Sequence, residues 1–370
     1  MSFELITSER RLNEVLLQHE DERFVAVDTE FRRRDTFYPQ VALVQLCWKD
    51  LAYLIDPTAF SDFTGLQELL VNQDVIKLLH SPSEDLEVFD HWLGILPAPL
   101  FDTQRAMAML GHGFGVGYRP MVGQFADVEI SKEETTSDWL KRPLSNKQLN
   151  YAALDVTYLR SIGEKLHSQA EEAGRLGWIF EDTANQKPGG KGVASKFKSA
   201  WKLNTAEQSS LHALIIWREG ESHRLDRPRS WILPDKVMVA LARRAPDHIA
   251  QLKQIDGLGE AIIRKRGQRL IDVLAEARAT DNDSVIWPAP ARGIERDWVA
   301  EMAKRVEDVA EKLGLAPQIL LSSRDFEAII QTAKNEAPLP GELSGWRFDV
   351  LVRELLTLLE KRIANARQGA

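Results

Sequence analysis

The chain reads as a mixed α/β sheet domain followed by an all-helical half. Three observations predict this. Short β-rich runs alternate with helical patterns through the first 185 residues, Lys187-Pro-Gly-Gly-Lys-Gly interrupts the pattern, and no strand-like run follows. With 370 residues and 44% hydrophobic content, the sequence can build two or three cores. The expected boundaries are a sheet domain over 1–185, a linker over 186–202, and helical domains over 203–285 and 293–370.

The strands come first. Phe24–Glu30, Val41–Trp48, Ala52–Ile55 and Val75–His80 are short runs rich in β-formers. The connections 35–40 and 49–50 are hairpin-sized, so the first three strands are expected to be antiparallel neighbours. A helix around Leu66–Leu70 lets Val75–His80 return in parallel, which makes the sheet mixed. After it, Ser81 and Glu84 fit a capping box with Pro82 at the first helical position. A helical run from Ser145 carries Tyr151 and Asp155.

The second half has helical periodicity over Ala206–Arg218, Asp235–Arg244 and Ile262–Ala277. Beyond Trp287-Pro-Ala-Pro290, three further segments follow: Asp297–Leu313, Arg324–Lys334 and Arg347–Arg362. Each set places an apolar-Pro step (Ile232-Leu-Pro234, Leu315-Ala-Pro317) after its first long helix, as a duplicated module would.

Composition excludes several classes. The start of the chain has no basic segment followed by an apolar core, and no apolar run approaches the roughly 18 residues of a membrane span. A cytoplasmic protein without a membrane partner is expected. Cys47 is the only cysteine, which rules out an intrachain disulfide and a cysteine-rich zinc site. Gly111-His-Gly-Phe-Gly-Val-Gly has the wrong spacing for a dinucleotide loop, and no P-loop motif occurs. Net charge is −8, but residues 186–270 carry 17 basic against 8 acidic side chains. A basic segment on an acidic protein suits either a polyanionic partner or a solvated helical surface.

The chemistry concentrates in carboxylates. Asp28 and Glu30 are two apart at the end of an apolar strand and so share a face, where like charges oppose ionisation unless a cation bridges them. Asp85 falls in a first helical turn, where it either complements the helix dipole or adds a third acid to the set. Tyr151 and Asp155, at i and i+4, put a phenol beside a carboxylate on one helix face, an arrangement also found on ordinary helix surfaces. An all-carboxylate set suits hard Mg²⁺ or Mn²⁺ and disfavours zinc.

Taken together, Asp-x-Glu, an Asp about 55 residues on and Tyr-x-x-x-Asp resemble the DEDD exonuclease pattern with tyrosine in its last motif. The similarity extends through Leu43-Val-Gln-Leu, Leu54-Ile-Asp-Pro, His80 through Phe89, Phe101-Asp-Thr-Gln and Ser137-Asp-Trp-Leu-Lys-Arg-Pro-Leu-Ser, and on these residues the chain resembles the ribonuclease D family. Its helical half resembles paired HRDC (helicase and RNase D C-terminal) domains.

This resemblance implies a ribonuclease H-like sheet and two divalent cations, Mg²⁺ or Mn²⁺, that hydrolyse RNA from the 3′ end to nucleoside 5′-monophosphates. It implies a monomer acting on RNA with a single-stranded 3′ end, such as tRNA precursors. By motif position Asp28 bridges both ions, Glu30 and Asp155 complete the site of the attacking water, Asp85 serves the second ion, and Tyr151 orients the water. Thr29, Phe31 and His80 are candidates for the terminal-nucleotide pocket, with core packing an equal reading for Phe31. Lys132, Arg142 and the Arg32-Arg-Arg34 run are candidates for phosphate neutralisation. The family's arginine before the Asp-Trp pair is replaced here by Thr135-Thr136-Ser137. In the first helical module Ile255-Asp-Gly-Leu-Gly-Glu precedes Arg264-Lys-Arg, and Arg264 and Lys265 are candidate RNA contacts at a helix start. A DNA 3′ exonuclease and an RNA-binding module with a lapsed site are the alternative readings.

Overall fold

The structure is a computed structural model that describes residues 2–130, 137–189, 192–279, 287 and 294–368. Among these residues six strands, β1 (Phe3–Ile6), β2 (Phe24–Arg32), β3 (Gln40–Cys47), β4 (Ala52–Ile55), β5 (Ile76–Leu79) and β6 (Leu100–Asp102), form one sheet in the order β1-β4-β3-β2-β5-β6. β3 and β4 are antiparallel, whereas β1 with β4, β2 with β5 and β5 with β6 are parallel. The expected mixed sheet is therefore present. It is wider than expected by β1 and β6, which are only four and three residues long.

Among the described residues, seven helices belong to this region: α1 (Glu9–Gln18), α2 (Thr64–Val71), α3 (Ser83–Leu93), α4 (Thr103–Met109), α5 (Tyr118–Ala126), α6 (Asn146–Glu172) and α7 (Leu176–Ala184). Strand alternation sends β2 side chains to two cores. Phe24 and Ala26 join the core shared with α4, α5 and α6, while Val25 and Val27 join the core under α1, α2 and α3. The 27-residue α6 runs across the sheet because its start is fixed by a Ser145–Gln148 capping box and because Gly163 lets it approach β5. A Cβ at Gly163 would meet Leu78 Cδ1 at 2.8 Å.

The start of α3 differs from expectation. Ser81 adopts φ 58 and its N–H donates to Asp102 Oδ1 at 3.0 Å, so the helix begins at Ser83 and no capping box forms. Asp102 fixes two turns at once, because the same oxygen accepts the Gln104 N–H at 2.9 Å and caps α4.

The helices after the linker are α8 (Thr205–Leu225), α9 (Arg229–Ile232), α10 (Asp235–Arg244), α11 (Ile249–Leu252), α12 (Glu260–Ala279), α13 (Ile294–Leu313), α14 (Pro317–Leu320), α15 (Ser323–Ala333) and α16 (Arg353–Gln368). They account for the helical segments read from periodicity, except that the last one opens with a π-helical turn over Phe348–Val352 before α16 begins. The chain divides into two compact units: residues 1–32, 41–188 and 291–370 in one, and residues 33–40 and 189–290 in the other. The final helical segment thus shares a unit with the sheet instead of forming a third. Trp298, Met302, Ile329 and Leu355 are buried in the same core as Ala152 and Val156 of α6, and the Trp346 and Trp178 rings stack at 4.6 Å. Arg347 and Trp346 Nε1 both donate to the Asp182 carboxylate on α7. Among the described residues, no helix is long and apolar enough to cross a membrane.

Candidate active site

The alternation that buries Ala26 among the α6 side chains continues to Asp28 and Glu30, and it delivers both carboxylates to the face where α6 presents Asp155. Oxygens of Asp28, Glu30 and Asp155 lie within 4.8 Å of one another. Three carboxylates from two elements, all half-buried, converge on one point. They line a cleft of about 960 Å³ together with His80, Gly117, Tyr118, Arg119, Tyr151 and the segment 127–130.

Electrostatics follow from this crowding. Burial, then the charges of Asp85, Asp155 and Glu30, hold the Asp28 carboxyl well above the usual carboxylate range. Burial and the neighbouring Asp155 and Asp85 raise Glu30 to about 9. Asp155 is raised to about 7 by burial, against the opposing Arg119 charge and a hydrogen bond from Tyr151. The fit to a cation is direct, since a hard divalent ion would replace mutual repulsion with oxygen ligation.

Asp85 occupies the first turn of α3 and is 9% exposed. It stands outside the group of three. Thr29 points to the opposite face of β2 from its neighbours, and its hydroxyl donates to Asp85 Oδ1 at 2.5 Å. Thr29 therefore serves through its side chain, by holding an acid. Burial moves Asp85 up to about 6, with the Thr29 hydroxyl opposing.

Tyr151 is gathered into the cleft as expected. Its hydroxyl lies 3.4 Å from an Arg119 guanidinium nitrogen, and the guanidinium carbon is 5.9 Å from the ring centroid. His80 also lines the cleft, with Nδ1 2.9 Å from Thr103 Oγ1 and Nε2 3.1 Å from the Val116 carbonyl. A carbonyl can only accept, so Nε2 carries the proton. Burial lowers the His80 pKa, against the opposing Asp102 charge and the bond to Val116. His80 thus ties the glycine-rich segment before α5 to the strand end. Phe31 is half-buried at the end of β2.

The expectation for Arg142 is corrected. Its guanidinium donates to Asp56 Oδ2 at 2.6 Å and Oδ1 at 2.8 Å, and to the carbonyls of Trp139 and Ala42 at 2.7 Å each. These bonds occupy its guanidinium in pinning a loop onto the sheet, in place of a phosphate contact. Lys132, Thr135 and Thr136 lie outside the described residues. Arg264 and Lys265 are exposed on α12, after a turn in which Gly257 adopts φ 78.

Arg119 and Tyr118 were not anticipated. Tyr118 donates its hydroxyl to the Leu154 carbonyl at 2.7 Å, which docks the start of α5 onto α6 and brings Arg119 to Tyr151 and Asp155. The signal in the sequence is a cation two residues beyond the alternating glycines Gly111, Gly113, Gly115 and Gly117.

Comparison with known proteins agrees with this geometry. Residues 3–171 match a family described as 3′–5′ exonuclease, and residues 207–274 match the HRDC domain. Among curated relatives, ribonuclease D of Pseudomonas paraeruginosa is 35% identical over 349 residues, spanning 91% of this chain and 92% of that protein. Ribonuclease D of Xanthomonas oryzae pv. oryzae is 37% identical, with 91% and 93% covered. The crystal structure of Escherichia coli RNase D, described as an exoribonuclease involved in structured RNA processing, superimposes with a TM-score of 0.84 at 30% identity, covering 98% of this chain and 99% of that one.

Proposed function

Because the chain belongs to the ribonuclease D family and is a 3′→5′ exoribonuclease, we propose that Asp28, Glu30 and Asp155 hold its catalytic Mg²⁺ or Mn²⁺ ions, with Asp85 assisting. The supporting observation is the convergence of the three carboxylates within 4.8 Å at a cleft large enough for a terminal nucleotide. Divalent ions held there would supply Lewis acidity at the scissile phosphate and lower the pKa of the attacking water.

The protein's own groups divide the remaining work. Asp28 would be the ligand common to the ions, with Glu30 and Asp155 completing the set. Asp85, fixed by Thr29, adds negative charge from the other side of β2. The Tyr151 hydroxyl, hydrogen-bonded to Asp155, orients the attacking water. Arg119 holds the phenol and offers a guanidinium to the scissile phosphate. His80 shapes the wall through its bond to the Val116 carbonyl.

The substrates in this reading are RNAs with single-stranded 3′ ends, such as tRNA precursors, and the products are nucleoside 5′-monophosphates. The enzyme works as a cytoplasmic monomer, with a nuclease segment over 1–185, a linker over 186–202 and helical segments over 203–285 and 293–370. The test uses a hairpin carrying matched RNA or DNA 3′ tails, with Mg²⁺ and with chelator. Metal-dependent shortening of the RNA tail is expected. Preference for the DNA tail, or shortening in chelator, would refute the reading.

A further inference from the structure

The Arg32-Arg-Arg34 run has no part in the acid cleft, yet two of its residues line a second cavity. We propose that a basic pocket on the unit formed by residues 33–40 and 189–290 binds the phosphodiester backbone of RNA. This inference rests on the exoribonuclease reading for the identity of the polyanion. It concerns a site that shares no residue with the cleft.

The pocket is about 500 Å³ in volume and is lined by six cations: Arg33, Arg34, Lys196, Arg218, Arg229 and Lys236. Asp235 is the single carboxylate in the lining, and Glu219, outside it, pairs with Arg229 through two hydrogen bonds. Asp235 Oδ1 accepts from Arg218 at 2.5 Å, so its charge is already matched. Phe37, Pro228 and Pro234 supply apolar wall between the cations. Such a cavity pairs charge for phosphates with apolar surface for a sugar or base.

Arg218 marks the pocket as more than a charged surface. It is only 2% exposed, the same terminal nitrogen that meets Asp235 also donates to the Leu233 carbonyl at 2.9 Å, and its Nε is buried without a hydrogen-bond partner among the described residues. A buried guanidinium N–H is costly to leave unmatched.

The wall opposite is held in place. Asp226 Oδ1 accepts the N–H groups of Phe37 and Tyr38 at 2.9 and 3.0 Å, and Arg227 donates to the Asp35 carbonyl at 3.0 Å. Arg33 Nε donates to the Phe37 carbonyl at 2.7 Å, and the Arg229 guanidinium carbon sits 4.6 Å from the Phe37 ring centroid. The loop therefore presents its cations without an ordering step on binding. Arg34, Lys196 and Lys236 are exposed at the rim, where a passing strand meets them first.

The test compares the full chain with a triple variant, Arg34→Ala, Lys196→Ala, Lys236→Ala. A 5′-labelled 20-nucleotide single-stranded RNA is bound in chelator so that it is not consumed, from 50 to 200 mM salt. Loss of three phosphate contacts lowers the magnitude of the log affinity against log salt slope by about 2, so the wild-type advantage shrinks about 20-fold across that range. The substituted residues are exposed, and thermal unfolding checks that the fold is retained. An equal slope in both proteins overturns the proposal, as does a weaker affinity with an unchanged slope. Metal-dependent cleavage of a short oligonucleotide by the wild type, measured separately, reports on the exoribonuclease reading alone.

Discussion

Replacing Glu30 with Gln should make the metal-free protein more stable, increasingly so as pH rises. Glu30 is raised to about 9 in the folded chain, against an ordinary 4.5. For an acid whose folded pKa is raised, stability is fully present below the unfolded value and is lost as pH climbs toward the folded one. The folded state keeps a proton that the unfolded chain has released, which costs about 1.4 kcal/mol for each pH unit in that window. Between pH 5 and pH 7 the Glu30→Gln protein should therefore gain about 3 kcal/mol relative to wild type.

The comparison between two proteins matters here. His19, His80 and His167, all lowered by burial, tilt stability the opposite way below about pH 6.5, and Lys77, lowered to about 7, does so above pH 7. Those contributions are common to both proteins and cancel in the difference. The assay is urea unfolding in chelator at pH 5, 6 and 7, following the transition that the substitution shifts, because a chain of two units need not unfold in one step. Saturating Mg²⁺ or Mn²⁺ should reverse the order by stabilising wild type and giving less to the variant. A stability difference that stays flat with pH in chelator would refute the account of the acid cluster.

Further outcomes test the neighbouring residues. Asp155→Asn should abolish metal-dependent cleavage while RNA affinity in chelator is retained or improved, as read by anisotropy. Tyr151→Phe should lower kcat by roughly 10- to 100-fold with KM little changed, and a loss confined to KM would make the phenol a substrate contact instead. Arg142→Ala should cost about 2–4 kcal/mol of stability by leaving the buried Asp56 carboxylate unpaired, without altering the salt dependence of RNA binding.

Much of the site was legible because it depends on local periodicity. Asp28 and Glu30 are two apart on a strand, and Tyr151 and Asp155 four apart on a helix, so each pair shares a face wherever those elements are packed. The features that were not legible are all long-range. Arg142 looks like any cation beside an Asp-Trp pair until Asp56, 86 residues earlier, is brought to it. Arg119 becomes part of the site only because Tyr118 bonds to the Leu154 carbonyl 36 residues away. Strands β1 and β6 are too short to carry a pattern and exist through pairing with β4 and β5. The apolar faces of α13 and α15 read as helical modules, but nothing in their periodicity reveals that they join the buried core of the nuclease region.

Direct titration with Mn²⁺ tests, with no substrate present, whether the acids converging at the cleft are a divalent-metal site. Calorimetry on wild type, Asp28→Asn and Asp155→Asn at pH 7 should show ions bound to wild type, with proton release as the raised carboxyls ionise, and binding lost in Asp28→Asn. Equal binding in wild type and Asp28→Asn would contradict the account.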